Sequence, residues 1–131
     1  MIQEDKELLL KDLCARLPYK VKVKVVNEDI LLYNYEVGFI IGKESINDEC
    51  FIIQCSNDDY ILSYDEFKPY LLPLSSMTEE QEKEYNDLNC YELGCFPHTE
   101  AALDYLIENQ FDFRGLIPKG LAIDATGLNI Y

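Results

Sequence analysis

Tyr19-Lys20-Val21-Lys22-Val23-Lys24-Val25-Val26 decides the fold. Val21, Val23 and Val25 fall on one side of an extended chain, and Lys20, Lys22 and Lys24 on the other. That alternation is the period of a half-buried β-strand. A helix would scatter the valines around its axis, so this stretch is read as a strand with one face in a core.

Upstream, Leu9, Leu10, Leu13 and Leu17, broadened by Leu8, make one apolar stripe. The spacing predicts a helix over residues 3–17, ended by Pro18, which has no N–H and collides with a preceding helical turn. Downstream, Asn27-Glu28-Asp29 reads as a turn and 30–41 as a long strand, bulged near Gly38. After a polar connection come a strand at Cys50 to Cys55, a turn at Ser56 to Asp59, and a strand at Tyr60 to Tyr64. Short strands with short turns predict an antiparallel arrangement.

Asp65 to Leu74 reads as a transition, because Pro69 and Pro73 exclude an uninterrupted helix. Thr78-Glu79-Glu80-Gln81 then has the form of a capping box, opening a helix to about Leu88 that is mostly solvated or packs through Tyr85 and Leu88 alone. Residues 89–98 are irregular. Thr99 caps a second helix over 100–109, and the tail from Phe111 packs down, adding one strand around Leu121 to Asp124. The expectation is an α+β fold: an N-terminal helix, a four-stranded antiparallel sheet or small SH3-like barrel, two helices and a packed tail. It is read as a single domain, 1–131, with a helix-plus-β part at 1–74 and a helical part and tail at 75–131.

The chain has 131 residues, 48% of them hydrophobic, which is enough for a real core without disulfides or metal. Its 25 acidic and 11 basic residues leave a net charge of −14. Such a surface repels phosphate backbones and anionic lipid, so no direct nucleic-acid or membrane binding is expected. The acidic balance fits a basic protein partner or mimicry of a nucleic acid, set against plain solubility. The N-terminal stretch Gln3-Glu4-Asp5-Lys6-Glu7 has no signal-peptide character and no run approaches a membrane span. Five cysteines fit reduced thiols, and a cytoplasmic location is expected.

Chemistry-bearing patterns are sparse. Cys50 and Cys55, and Cys90 and Cys95, have four residues between them, with His98 following. Short metal knuckles are absent, and Cys50 and Cys55 face opposite sides of a regular strand, so no metal is expected and Cys55 or Cys50, with Cys14, reads as core. A Cys–His pair from Cys90 or Cys95 with His98 has no supporting local motif. No phosphate loop or serine elbow is present, and no cofactor is expected. The lysines of the first strand read as a solvated, aggregation-resistant face or as a contact for an acidic partner.

The candidate interaction residues are Tyr70, Asp112, Arg114 and Lys119. Arg114 and Lys119 are a basic element in an acidic half, placed to bind an anion or a partner carboxylate. The competing reading pairs Arg114 with Asp112 or Glu108 to order the tail.

Two segments carry a resemblance. Lys68-Pro69-Tyr70-Leu71-Leu72-Pro73-Leu74-Ser75-Ser76-Met77-Thr78-Glu79-Glu80 and Phe111-Asp112-Phe113-Arg114-Gly115-Leu116-Ile117-Pro118-Lys119-Gly120-Leu121-Ala122 are similar to segments of short uncharacterised proteins from gut anaerobes and their phages or prophages. In that group a basic residue often stands at the place of Leu72 and an acidic one at that of Pro118. The resemblance implies a phage or mobile-element setting and no particular reaction. The function expected from all this is a small acidic protein-binding or adaptor protein, in its sharpest form a decoy for a nucleic-acid-binding host protein. The alternative is a small-ligand binder or enzyme with a pocket between sheet and C-terminal helices.

Overall fold

In the computed structural model, which describes residues 2–26, 37–45, 49–55, 58–88 and 99–131, the leucine stripe forms helix α1 (Gln3–Ala15). Leu9 and Leu13 are fully buried, and Leu8, Leu10 and Leu17 pack partly against the core. Pro18 lies inside a 3-10 turn, Leu17–Tyr19, and the chain then reverses at Lys20, whose backbone is left-handed at φ 51°.

Strand β1 (Lys22–Val25) follows, with Val21, Val23 and Val25 wholly shielded from solvent. β2 (Val37–Lys43) pairs antiparallel with it, Lys22 opposite Phe39 and Lys24 opposite Val37. The turn and early strand expected over 27–36 lie outside the described residues. β3 (Cys50–Cys55) pairs with β2, and β4 (Asp58–Ser63) with β3, both antiparallel. The register shift in β2 falls between Ile40 and Gly42, not at Gly38. Gly38 answers a different need: a Cβ there would stand 2.8 Å from the Cys55 sulfur and 2.8 Å from the Gln54 carbonyl oxygen.

The expected four-stranded sheet or small SH3-like barrel is corrected to a seven-stranded sheet among the described residues, ordered β4-β3-β2-β1-β5 (Phe67–Pro73)-β6 (Phe111–Asp112), with β7 (Ile123–Asp124) also on β5. β5 (Phe67–Pro73) occupies the segment read as a transition. It pairs antiparallel with β1, Val23 opposite Pro69 and Lys24 opposite Lys68. The Val26 amide donates to the Glu66 carbonyl at 2.8 Å, and alternation from that bond makes Val23–Pro69 a non-hydrogen-bonded pair. The missing N–H of Pro69 therefore points away from β1, and the proline costs that ladder nothing.

The other two strands are short and come from the tail. β6 (Phe111–Asp112) and β7 (Ile123–Asp124) each run parallel to β5, at Leu72–Pro73 and Tyr70–Leu71. Between β5 and β6 lie helices α2 (Glu79–Leu88) and α3 (Glu100–Glu108). Both caps form as expected. The Gln81 amide donates to the Thr78 hydroxyl at 3.1 Å and the Thr78 amide to Gln81 Oε1 at 2.9 Å, while Ala102 N–H donates to Thr99 Oγ1 at 3.1 Å.

One core joins these parts. Leu9 and Leu13 of α1 meet Val23, Ile40, Phe51 and Phe67 of the sheet, with Leu116 and Leu121 of the tail. Phe51 and Phe67 pack edge to face, centroids 5.9 Å apart. Each fully buried leucine contributes about 2 kcal/mol through water exclusion.

Candidate functional site

Each of the four candidate interaction residues is engaged within the chain. Tyr70 is buried in β5, where its carbonyl accepts the Tyr131 hydroxyl at 2.8 Å. Asp112 is buried too, and its carboxylate accepts the amides of Leu116 and Ile117, both at 2.9 Å. That arrangement pins the turn after β6. Lys119 reaches Asp5 of α1 at 3.5 Å across an exposed surface.

Arg114 takes neither acid expected for it. Its Nε donates to Asp12 Oδ1 at 3.1 Å, and its guanidinium lies 4.6 Å from the Phe113 ring centroid. Asp12 is fully buried and also meets Arg16, one helical turn on, with Nε 2.8 Å from Oδ2. Arg16 is equally buried; its remaining donors reach the carbonyls of Phe111 at 2.5 Å and Ile107 at 3.4 Å. The cluster is an internal clamp between α1 and the segment after α3. No buried side-chain nitrogen or oxygen lacks a hydrogen-bond partner among the described residues.

Two thiols, Cys50 and Cys55, are held away from the reactive thiolate form. Burial pushes the Cys55 thiol up. At Cys50, burial acts first and the carboxylates of Glu66, Glu44 and Glu49 add to it, the reverse of what a nucleophilic cysteine needs. Cys55 sits in the core and Cys14 packs beside it. Cys90, Cys95 and His98 lie outside the described residues, among which no group of three or more potential metal ligands gathers. No described helix is long and apolar enough to cross a membrane.

Two surface features remain. The first is a groove of about 460 Å³ where the sheet meets the helices, lined by Tyr19, Lys20, Lys22, Leu72, Gln81, Glu108, Asn109, Gln110 and Tyr131. None of the four candidate residues lines it. Tyr131 forms part of its wall. The residue as a whole is about half exposed, but its hydroxyl is held between the Lys22 amide, which donates at 2.8 Å, and the Tyr70 carbonyl. Burial pushes the ionisation of that phenol far above its ordinary range. The Lys22 ammonium donates to the Ile130 carbonyl.

The second feature is the outer surface of the two later helices. α2 exposes Glu79, Glu80, Glu82, Glu84 and Asp87, and α3 exposes Glu100, Asp104 and Glu108: five and three, eight carboxylates against the single Lys83. α2 buries no residue at all. It is tied to α3 by the Tyr105 hydroxyl, which donates to Glu84 at 2.8 Å, and by Thr99 Oγ1, which donates to the Leu88 carbonyl at 2.7 Å. Burial, then the bond to Glu84, then the charges of Glu84 and Glu80 push Tyr105 up to about 12.

Sequence reasoning names none of the residues that line the groove as a pocket. Its lysines belong to the alternating strand and read as a solvated face. Asn109, Gln110 and Tyr131 give no signal, because their placement depends on residues far off in the chain. No protein-family model matches the chain, and no curated protein or solved structure matches it.

Proposed function

We propose that the protein is a binding module that presents the carboxylates of α2 and α3 to a basic surface on a partner protein. The observation that carries this reading is the pair of helices with eight exposed acids against one lysine. A helix that buries no side chain adds little to the core, yet α2 is capped at its start and bonded to its neighbour. Its value then lies in what it displays. A concentrated field of one sign steers association and selects partners more than it adds raw affinity.

In its sharpest form the module is a decoy, occupying the nucleic-acid site of a host protein. The phage or mobile-element setting implied by the two similar segments belongs to the same proposal. The test is a pull-down of tagged protein from bacterial lysate, with and without phage infection, beside a variant with Glu79, Glu80, Glu82 and Glu84 changed to Gln. A partner captured by the natural protein, lost with the variant and displaced by nucleic acid supports the decoy. A partner retained by the variant, or no partner, counts against the acidic surface.

A second reading, a small-ligand binder or enzyme with its pocket between sheet and C-terminal helices, is favoured by the groove at that junction.

A further inference from the structure

We propose that the junction groove binds a compact organic anion, a carboxylate or phosphate ester with a planar apolar body, its charged head at Lys20 and Lys22 and its body against Tyr19 and Tyr131. The inference rests on the second reading above and names the ligand class for it.

Charge is the first argument. In a chain with 25 acidic residues, two of the 11 basic ones line the same groove. Among the described residues no carboxylate pairs with either. Lys20 has only a ring beside it, its ammonium 6.0 Å from the Phe39 centroid. The groove is thus a positive pocket on a negative molecule. Glu108 on its wall disfavours an extended polyanion, so the favoured head is small.

Backbone conformation is the second argument. Three residues other than glycine have positive φ: Lys20 at 51°, Gln110 at 63° and Asn129 at 55°, among the described residues. Two of them line the groove and the third is two positions from Tyr131. Lys20 ends the 3-10 turn and Gln110 follows the C-cap of α3, so two left-handed helix ends set this wall of the groove.

Rigidity is the third. The walls are fixed before any ligand arrives. Gln110 Oε1 accepts from Arg16 at 3.5 Å, its Nε2 donates to the Tyr19 carbonyl at 3.1 Å, and the Tyr131 hydroxyl is bonded on both sides. A pocket held in this way loses little freedom on binding.

The test is an amide-shift titration of the full chain with phenyl phosphate, inorganic phosphate and benzyl alcohol. Phenyl phosphate should shift the amides of Lys20, Lys22 and Gln110 saturably, with inorganic phosphate weaker. Lys20→Gly keeps the left-handed backbone while deleting the ammonium, so its fold is secure. It should weaken phenyl phosphate by about tenfold, the loss of one charge-assisted hydrogen bond, and Lys20→Arg should not. Shifts with benzyl alcohol but with neither anion overturn the anion assignment and leave the ligand reading standing. Unchanged affinity in Lys20→Gly overturns the placement of the head. No saturable shift from any probe overturns both the assignment and the ligand reading.

Discussion

Asp12 and Arg16 face one another on the same side of the first helix and its cap, both wholly buried, Nε 2.8 Å from Oδ2. On an exposed helix such a pair would be worth a few tenths of a kcal/mol. Here it is the centre of a clamp that also holds Arg114 and the Phe111 carbonyl. Removing Asp12 strands Arg16, and removing Arg16 leaves the buried Asp12 with Arg114 alone. Asp12→Asn or Arg16→Met should each cost about 3–5 kcal/mol, read as a lower urea midpoint. The double replacement Asp12→Leu with Arg16→Met should cost less than the sum of the two, because only the part-exposed Arg114 is then left without its carboxylate.

Gly38 gives a steric prediction. Its neighbours leave no room for a methyl group: the Cys55 sulfur and the Gln54 carbonyl oxygen are both 2.8 Å from where it would sit. Gly38→Ala should destabilise by about 1–3 kcal/mol. Adding Cys55→Ala should recover only part of this in thermal denaturation, since the backbone oxygen stays.

Tyr131 links folding to alkaline pH. Its phenol ionises above its ordinary value of 10.0, so the folded state holds the proton more tightly than the unfolded chain does. That stabilisation is complete below pH 10 and is lost as the pH climbs toward the folded value. An ultraviolet titration should show Tyr105 and Tyr131 ionising late, and Tyr131→Phe should remove one of these two steps. The same variant leaves the Lys22 amide without its acceptor and should cost about 1–2 kcal/mol at neutral pH.

Lys24 and Lys68 stand directly opposite one another on neighbouring strands. Like charges in that position repel. Lys68→Glu should therefore stabilise by about 0.2–1 kcal/mol, and the gain should shrink in high salt as screening removes it.

The two helix caps should differ in kind. Thr99→Ala should lower global stability by about 1 kcal/mol, because α3 buries Ala102 and Leu106. Thr78→Ala opens a helix that buries nothing. Its effect should appear as faster amide hydrogen exchange within α2, with the urea midpoint nearly unchanged.

Local pattern makes much of the frame legible. The Val21-Val23-Val25 alternation, the leucine stripe, the capping residues Thr78 and Thr99, and the strand at Cys50–Cys55 all express preferences set within a few residues. β5 is hidden because Pro69 and Pro73 argue against strand until it is known which side of the ladder each faces. The clamp is hidden because Asp12 and Arg16 look like an ordinary surface pair, and the partner of Arg114 lies 102 positions away. Asp112 and Tyr70 read as contacts in the sequence, but both are inward-facing supports. The groove lysines stand out for their alternation, which says where a side chain points and nothing about what closes over it.

Arg16 must also be considered in time. As the chain leaves the ribosome, its guanidinium emerges with Asp12, but its carbonyl partners at Ile107 and Phe111 are 91 and 95 residues behind. β6 begins at that same Phe111, opposite Leu72, and β7 is made later still, where Leu71 awaits Asp124. The nascent chain can gather its leucines and valines early, yet it cannot lock. The first helix waits for the last quarter of the chain, and the folded state is reached only when the two are in the same solution.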